Sequence, residues 1–457
     1  MSAIKTASGP ATAVIGGGWA GLSAAVALAD AGHAVTLYEA ARTLGGRARS
    51  VEVQGRQLDN GQHIMLGAYD ATLGLLRRVG IDPRQALLRL PLQMRYPPAQ
   101  GLMDFVAPRL PAPLHMLAAL LRARGLERDD KMALARFTTS ARWMDWQLNK
   151  DCSVAELLDR FDQTPRLVRL MWRPLCLAAL NTAPEQASAQ VFLAVLRDSL
   201  GAKRAASDML LPRLLLDALF PVAAQRHIEG RGGRVVTGAR VDALAHEDGH
   251  WRVTTAGGCV KFDAVVLASA PWQAASLLRA LPGTEALCAQ LDGFAYEPIS
   301  TVYLQYAPGL RLPLPFCALL DEPDGGAWGQ FVFDRGQLDT GDAHGGRGGQ
   351  DGLLAVVISG ATDAAALPRE ALAAAVAAQL AAAFGNEALR QPAWHQVITE
   401  KRATFACTPG LARPGNAGPL PGLALAGDYT ACDYPATLES AVRSGLAAAR
   451  AATGARA

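Results

Sequence analysis

The chain has 457 residues, half of them hydrophobic, with 44 Lys and Arg against 41 Asp and Glu and a formal net charge of +3. That length suffices for two or three domain-sized units around a large core, and the near-neutral balance, without a long basic block, excludes a general electrostatic pull on nucleic acid. The seven cysteines (Cys152, Cys176, Cys259, Cys288, Cys317, Cys407, Cys432) are scattered, odd in number and never form a CxxC pair, which argues against a disulfide framework or a zinc site and for buried reduced thiols in a cytosolic protein.

Residues 11–15 read as a short buried strand, residues 19–31 as an Ala/Leu-rich helix stopped by Gly32, and residues 34–38 as a second buried strand. This is a βαβ opening with parallel strands. Its apolar character resembles a secretory signal only superficially, because the charged leader is missing and the centre is glycine-rich. That centre, Gly16-Gly17-Gly18-Trp19-Ala20-Gly21, is a GxGxxG between strand and helix. Gly16 permits the tight turn, Gly18 lets the backbone approach a pyrophosphate, and Gly21 lets helix and strand pack closely. The helix N-terminus offers unpaired N–H groups to phosphate oxygens. Glu39, ending the second strand, is positioned to accept the ribose hydroxyls. Leu44-Gly45-Gly46-Arg47 follows, either a second wrap around the pyrophosphate with Arg47 neutralising charge, or a simple turn with a surface arginine.

Residues 84–225 read as leucine-, alanine- and arginine-rich helices with proline joints. Their apolar runs at 191–192, 195–196, 210–212, 214–216 and 219–220 are either tunnel lining or plain core. Residues 114–121, flanked by Arg109, Arg122, Arg124 and Arg128, form an amphipathic helix that either rests on a membrane interface or is simply solvated. Strands are expected at 233–241, 264–268, 301–306, 331–333 and 353–358, an exposed glycine-rich loop at 339–352, and a helix at 368–384. The end repeats the opening logic, with a strand at 423–426, then Gly427-Asp428, then a helix from about Thr437. No run of about 18 uninterrupted apolar residues exists, so no membrane-spanning helix is expected. The expected fold is α/β. A Rossmann-type domain is assembled from residues 1–83, 226–272 and 390–457, and an interleaved α+β substrate domain from 84–225 (mainly helical) and 273–389 (mixed sheet and helix).

Glu39 with Gly45-Gly46-Arg47 resembles the amine-oxidase and phytoene-desaturase superfamily of FAD enzymes. The resemblance implies one FAD. It also implies that Gly427 and Asp428 meet the flavin ribityl chain and phosphates, and that the backbone N–H of Leu438 faces the flavin N1/O2 edge. Val241 matches a valine that meets adenine through its backbone, and reads equally well as ordinary core. Two departures stand out: Ala41 replaces an arginine usual in amine oxidases, and Thr437 replaces a tyrosine of their aromatic cage. The second removes the usual guide for an amine and favours the isoprenoid-processing branch. The stretches 59–69 (Asp59-Asn60-Gly61-Gln62-His63 onward), 171–182 (Met171-Trp172-Arg173-Pro174 onward), 400–405 and 434–441 are similar to the hydroxysqualene dehydroxylase family, the squalene-associated FAD-dependent desaturases of hopanoid synthesis.

That likeness implies reductive removal of an allylic hydroxyl from hydroxysqualene, giving squalene and water. The chemistry needs a hydride from reduced flavin, an acid for the leaving hydroxyl, and a dry apolar tunnel for a long isoprenoid. His63 and Tyr434 are the candidate acids, although His63 reads equally as a structural hydrogen-bonder and Tyr434 as ring packing. A single dinucleotide fingerprint implies a transient external electron donor, and no metal ligand set is visible. FAD is expected to be held non-covalently. The protein is expected in the cytoplasm, peripheral on the inner membrane if the basic amphipathic helix binds there. Rival readings are a carotenoid-type desaturase, an amine oxidase, and a non-catalytic FAD-bearing scaffold.

Overall fold

The computed structural model describes residues 9–201, 203–339 and 349–454. The opening forms as its sequence dictates, with strand Ala11–Ile15, helix Trp19–Asp30 and strand Ala34–Glu39. These strands join a five-stranded parallel sheet whose order is Arg234–Thr237, Ala34–Glu39, Ala11–Ile15, Ala264–Leu267, Leu423–Leu425. The helix Trp19–Asp30 is buried along most of its length because it packs against the final helix Leu438–Ala452. The chain's two ends therefore build one layer. Strand order reverses between Ala11–Ile15 and Ala264–Leu267, and in open parallel sheets the crevice beyond the strand C-termini at such a switch point is where ligands bind.

A second five-stranded sheet is wholly antiparallel, in the order Phe316–Ala318, Phe331–Asp334, Leu353–Ser359, Tyr296–Gln305, Trp394–Phe405. Its apolar runs follow from burial on both faces. Val302, Leu304, Val332, Leu354 and Val356 pack on one side with the helix Arg369–Phe384, while Tyr303, Phe316, Phe331 and Ala355 point to the other. The strand Trp394–Phe405, which the sequence drew into segment 390–457, pairs in this second sheet.

Three readings need correction. Segment 84–225 is not helical throughout: Leu87–Leu90 and Met209–Pro212 pair antiparallel, as do Gln93–Arg95 and Asp104–Val106. The prolines that looked like helix joints sit beside these short strands. The single strand expected at 233–241 is two, because Gly238 turns at φ +67°. Arg234–Thr237 stays in the parallel sheet, and Val241–Glu247 opens a separate three-stranded sheet with His250–Thr255 and Gly258–Phe262. Finally, the expected strand 301–306 begins earlier, at Tyr296. Most of the expected loop 339–352, residues 340–348, lies outside the described residues.

Candidate active site

The fingerprint turn is shaped by contact. At Gly16, φ is +112° and a Cβ would lie 2.5 Å from the Ala268 carbonyl oxygen. At Gly21 a Cβ would lie 1.9 Å from the Gly16 oxygen. Both glycines are there so that backbones can touch. Gly18 differs: its φ of −74° suits any residue, and a Cβ there would meet nothing nearer than Gly46 Cα at 3.8 Å. It caps the helix Trp19–Asp30 without a side-chain acceptor, so first-turn N–H groups stay open to an anion. The 44–47 turn lies directly on it. Gly45 N–H donates to Gly17 O at 2.8 Å, and Gly45 and Gly46 both have positive φ. Glu39 accepts from Gly17 N–H (2.6 Å) and Ala41 N–H (2.7 Å), which fixes its carboxylate at the strand end.

Arg47 ties the ends of the chain together. One terminal nitrogen donates to Ala403 O at 2.7 Å and the other to Asp428 Oδ1 at 2.6 Å. Arg413, which sequence reasoning missed, gathers the loop after Gly427. Its guanidinium donates to the carbonyls of Asp428, Tyr429, Cys432 and Tyr434. Glu439, also missed, is fully buried and accepts from Ala71 N–H, Thr72 N–H and the Thr72 hydroxyl. It thereby caps the helix Asp70–Arg78, whose own N-cap Tyr69 offers no acceptor. Thr437 caps the last helix through a reciprocal box with Ser440.

These elements surround a cavity of about 1090 Å³, above the usual range for one small ligand. Gly16, Gly18, Glu39, Gly45, Gly46, Arg47, His63, Val241, Gly427, Asp428, Tyr434 and Leu438 all line it; Gly21 lies behind, against Gly16. Ser269 Oγ and Tyr429 Oη are buried in its wall without a hydrogen-bond partner among the described residues, as expected where a polar ligand completes the site. Away from the turn the wall becomes apolar, with Leu92, Met94, Phe105, Met116, Leu134, Met171, Leu175, Phe316 and Phe331. Of the apolar runs considered as tunnel lining, Val195 alone faces the cavity. Leu211, Leu216, Leu219, Phe220, Phe192 and Leu196 are core. Among the described residues no His/Cys/Asp/Glu group is arranged for a metal ion.

Among the polar groups that also line the cavity, Tyr434 and Asp198 form a bonded pair. Tyr434 donates its phenol proton to Asp198 Oδ2 at 2.5 Å, and Asp198 also pairs with Arg197 at 2.7 Å. Burial pushes the Asp198 carboxyl up, but Arg197 and Tyr434 outweigh it and hold the group below its ordinary value. Burial, then the neighbouring carboxylate, raises the Tyr434 phenol. Asp198 sits in a π-helical turn, Arg197–Gly201, and a second such turn, Val168–Trp172, supplies Met171 and Trp172 to the same cavity. Such turns recur at functional sites. The signal in the sequence was the charged pair Arg197-Asp198 interrupting an apolar helical run. His63 is held below its ordinary pKa by burial and by Arg47. Its Nδ1 lies 3.1 Å from Gly61 O, and a carbonyl can only accept, so Nδ1 carries the proton and Nε2 faces outward as an acceptor.

Comparison with known proteins agrees with this architecture. The family described as flavin containing amine oxidoreductase matches residues 19–453. A hydroxysqualene dehydroxylase of Rhodopseudomonas palustris is 32% identical, across 95% of this chain and 96% of the relative. A zeta-carotene desaturase of Synechocystis sp. is 27% identical, across 96% of each chain. The crystal structure of cyclohexylamine oxidase from Brevibacterium oxydans shares the fold, with a TM-score of 0.67 and 18% identity over 98% of this chain and 99% of that one.

Proposed function

The chain belongs to the flavin-containing amine oxidoreductase family and is an FAD-dependent oxidoreductase, and from that premise we propose that it reduces hydroxysqualene to squalene within hopanoid synthesis. The observation that carries this reading is the Tyr434–Asp198 pair lining the same cavity as the dinucleotide turn and the apolar wall. A long hydrocarbon fits that wall, and its single hydroxyl needs one polar place to dock. Overall the reaction adds two electrons and two protons, breaks the allylic C–O bond, forms C–H, and releases water. Bound FAD, reduced by a transient external donor, would supply the hydride.

The chain's own residues do the rest. Gly18 and the open first turn of Trp19–Asp30 receive the pyrophosphate, with the Arg47–Asp428 pair alongside. Glu39 receives ribose, the Val241 backbone adenine, and Gly427, Asp428 and the Leu438 N–H the flavin half. The apolar wall excludes water, which protects an allylic cation. Tyr434 keeps its proton at neutral pH and in the structure donates it to Asp198; turning it from that carboxylate to the leaving hydroxyl would make Tyr434 the acid. His63, neutral and with its one N–H on the Gly61 carbonyl, presents Nε2 only as an acceptor.

The expected result of anaerobic turnover with hydroxysqualene and a chemical reductant is squalene. Tyr434→Phe should keep FAD and lose roughly 10²–10⁴-fold in kcat. Squalene formation by the variant at the wild-type rate would exclude Tyr434 as the donor, and no squalene from the intact flavoprotein would exclude the reaction. The zeta-carotene desaturase relative supports a second reading, oxidation of a polyene; new conjugation from phytoene with a quinone acceptor would favour it.

We also propose membrane contact through the helix Leu114–Arg122. Leu114, Leu117 and Leu121 are 54%, 54% and 67% exposed on one side, Met116 lines the cavity, and Arg109, Arg122, Arg124 and Arg128 flank it on the surface. No helix among the described residues is long and apolar enough to cross a membrane.

A further inference from the structure

The strand Met209–Pro212 is buried from end to end and paired on both edges, with Met65–Leu66 on one side and Leu87–Leu90 on the other. Successive side chains of a strand point to opposite faces. Met209 faces the large cavity, and Leu210 faces a second one of about 780 Å³ behind it.

Four guanidinium groups line this second cavity, those of Arg77, Arg84, Arg89 and Arg213, against one carboxylate, Asp82. Arg84 pairs with Asp82 at 3.3 Å, and Arg89 reaches past the cavity to Asp208 at 2.9 Å. Arg77 and Arg213 make no side-chain ion pair or hydrogen bond among the described residues. The Arg213 backbone is pinned to Ala86 O, and its Nε is buried without an acceptor. The Arg213 side chain is only partly buried, yet its enclosed Nε donor lacks the acceptor that enclosed donors usually have. The cavity thus carries an excess of positive charge, four arginines against Asp82, which both Arg84 and Arg77 attract, and guanidinium forks match the oxygens of phosphate groups.

We propose that this cavity binds a phosphate-class dianion, a phosphate monoester or diphosphate, at a site separate from the cofactor. The same chemistry is offered by free inorganic pyrophosphate and by an acidic phospholipid headgroup. The test uses the holoenzyme, in which FAD already fills the dinucleotide site, so pyrophosphate cannot be captured there. Calorimetric titration with inorganic pyrophosphate at constant ionic strength should give one-to-one binding with Kd below about 1 mM. Arg213→Met and Arg77→Ala should each weaken it by about tenfold or more, with the flavin spectrum unchanged. In parallel, vesicles of phosphatidylcholine with and without phosphatidic acid are tested by flotation. Arginine-dependent capture by phosphatidic acid alone assigns the site to a lipid headgroup; pyrophosphate binding without vesicle capture assigns it to a soluble ligand. The proposal is overturned if neither binds, or if binding is indifferent to both substitutions. Neither readout depends on turnover, so the outcome is independent of the reaction proposed above.

Discussion

Gly18 and Gly21 belong to the same fingerprint, yet they should fail in opposite ways when given a methyl group. At Gly21 a Cβ would sit 1.9 Å from the Gly16 oxygen and 2.9 Å from the Ala268 Cβ, and both neighbours are in the sheet-side turn. Gly21→Ala must therefore push the helix Trp19–Asp30 off the sheet. Overpacking of a rigid core costs about 1–3 kcal/mol or more, and the apoprotein itself should be destabilised. At Gly18 the backbone already has φ −74° and ψ 178°, and the nearest atom to a Cβ is 3.8 Å away. Gly18→Ala meets no clash, and the unfolded-state gain of alanine offsets its poorer N-cap preference, so the apoprotein should stay within about 1 kcal/mol of wild type. On the placement proposed above, the methyl would stand where a pyrophosphate approaches the helix N-terminus. Displacing one charge-assisted hydrogen bond costs about 1.5–3 kcal/mol, so FAD affinity should fall roughly 10- to 150-fold. Apoprotein melting and flavin fluorescence titration, run side by side, separate the two effects. An undiminished FAD affinity in Gly18→Ala, or an apoprotein as damaged as that of Gly21→Ala, would refute the placement of the pyrophosphate.

Other expectations follow from the polar contacts. Glu439→Gln must turn an amide N–H₂ toward either Ala71 and Arg443 or Thr72, all donors; a loss of about 3 kcal/mol in urea unfolding is expected. Burial pushes the Asp59 carboxyl up to about 6, against the pull of Arg335. The folded chain thus holds a proton that the unfolded chain releases from its ordinary value of 3.8 upward. The resulting stability is full below that value and is lost as pH rises through about 6, some ~3 kcal/mol in all. Asp59→Asn, which keeps an acceptor for Leu216 N–H and the Ser50 hydroxyl, should flatten the urea midpoint over that window; an unchanged pH profile would count against it. Arg413→Lys cannot reach four carbonyls at once, so the 428–434 loop should loosen and FAD dissociate faster in a stopped-flow release assay, while Arg413→Lys with wild-type release would show the loop is held by other contacts.

Legibility in the sequence followed the range of the interaction that made each feature. The GxGxxG turn, the acid Glu39 and the capped final helix are local, set by steric freedom, strand length and first-turn donors within a few residues. The parallel sheet was legible for the same reason, since its strands are short apolar runs between turn residues. Asp198 meets Tyr434 across 236 positions, and Glu439 reaches Thr72 across 367; no local spacing encodes either. Arg47 was read as a charge for phosphate, and its second task, closing the chain's ends through Asp428, appears only when the ends are folded together.

The cavity wall shows a different limit. Met209 and Leu210 are neighbours in one apolar strand, yet the first faces the large cavity and the second faces the arginine-lined one. Val195 faces the cavity while Phe192 and Leu196 pack into protein. Water is excluded from both places, so both select apolar side chains by the same free energy of transfer. Hydrophobic pattern therefore locates what is dry without saying whether protein or ligand makes it so. Polar residues that intrude into a dry region carry the missing information, because each needs a partner. Here Tyr434 with Asp198, Ser269 and Tyr429 without partners among the described residues, and Arg213 with its unpaired Nε are the polar groups on the two cavity walls where a ligand would supply what the chain does not.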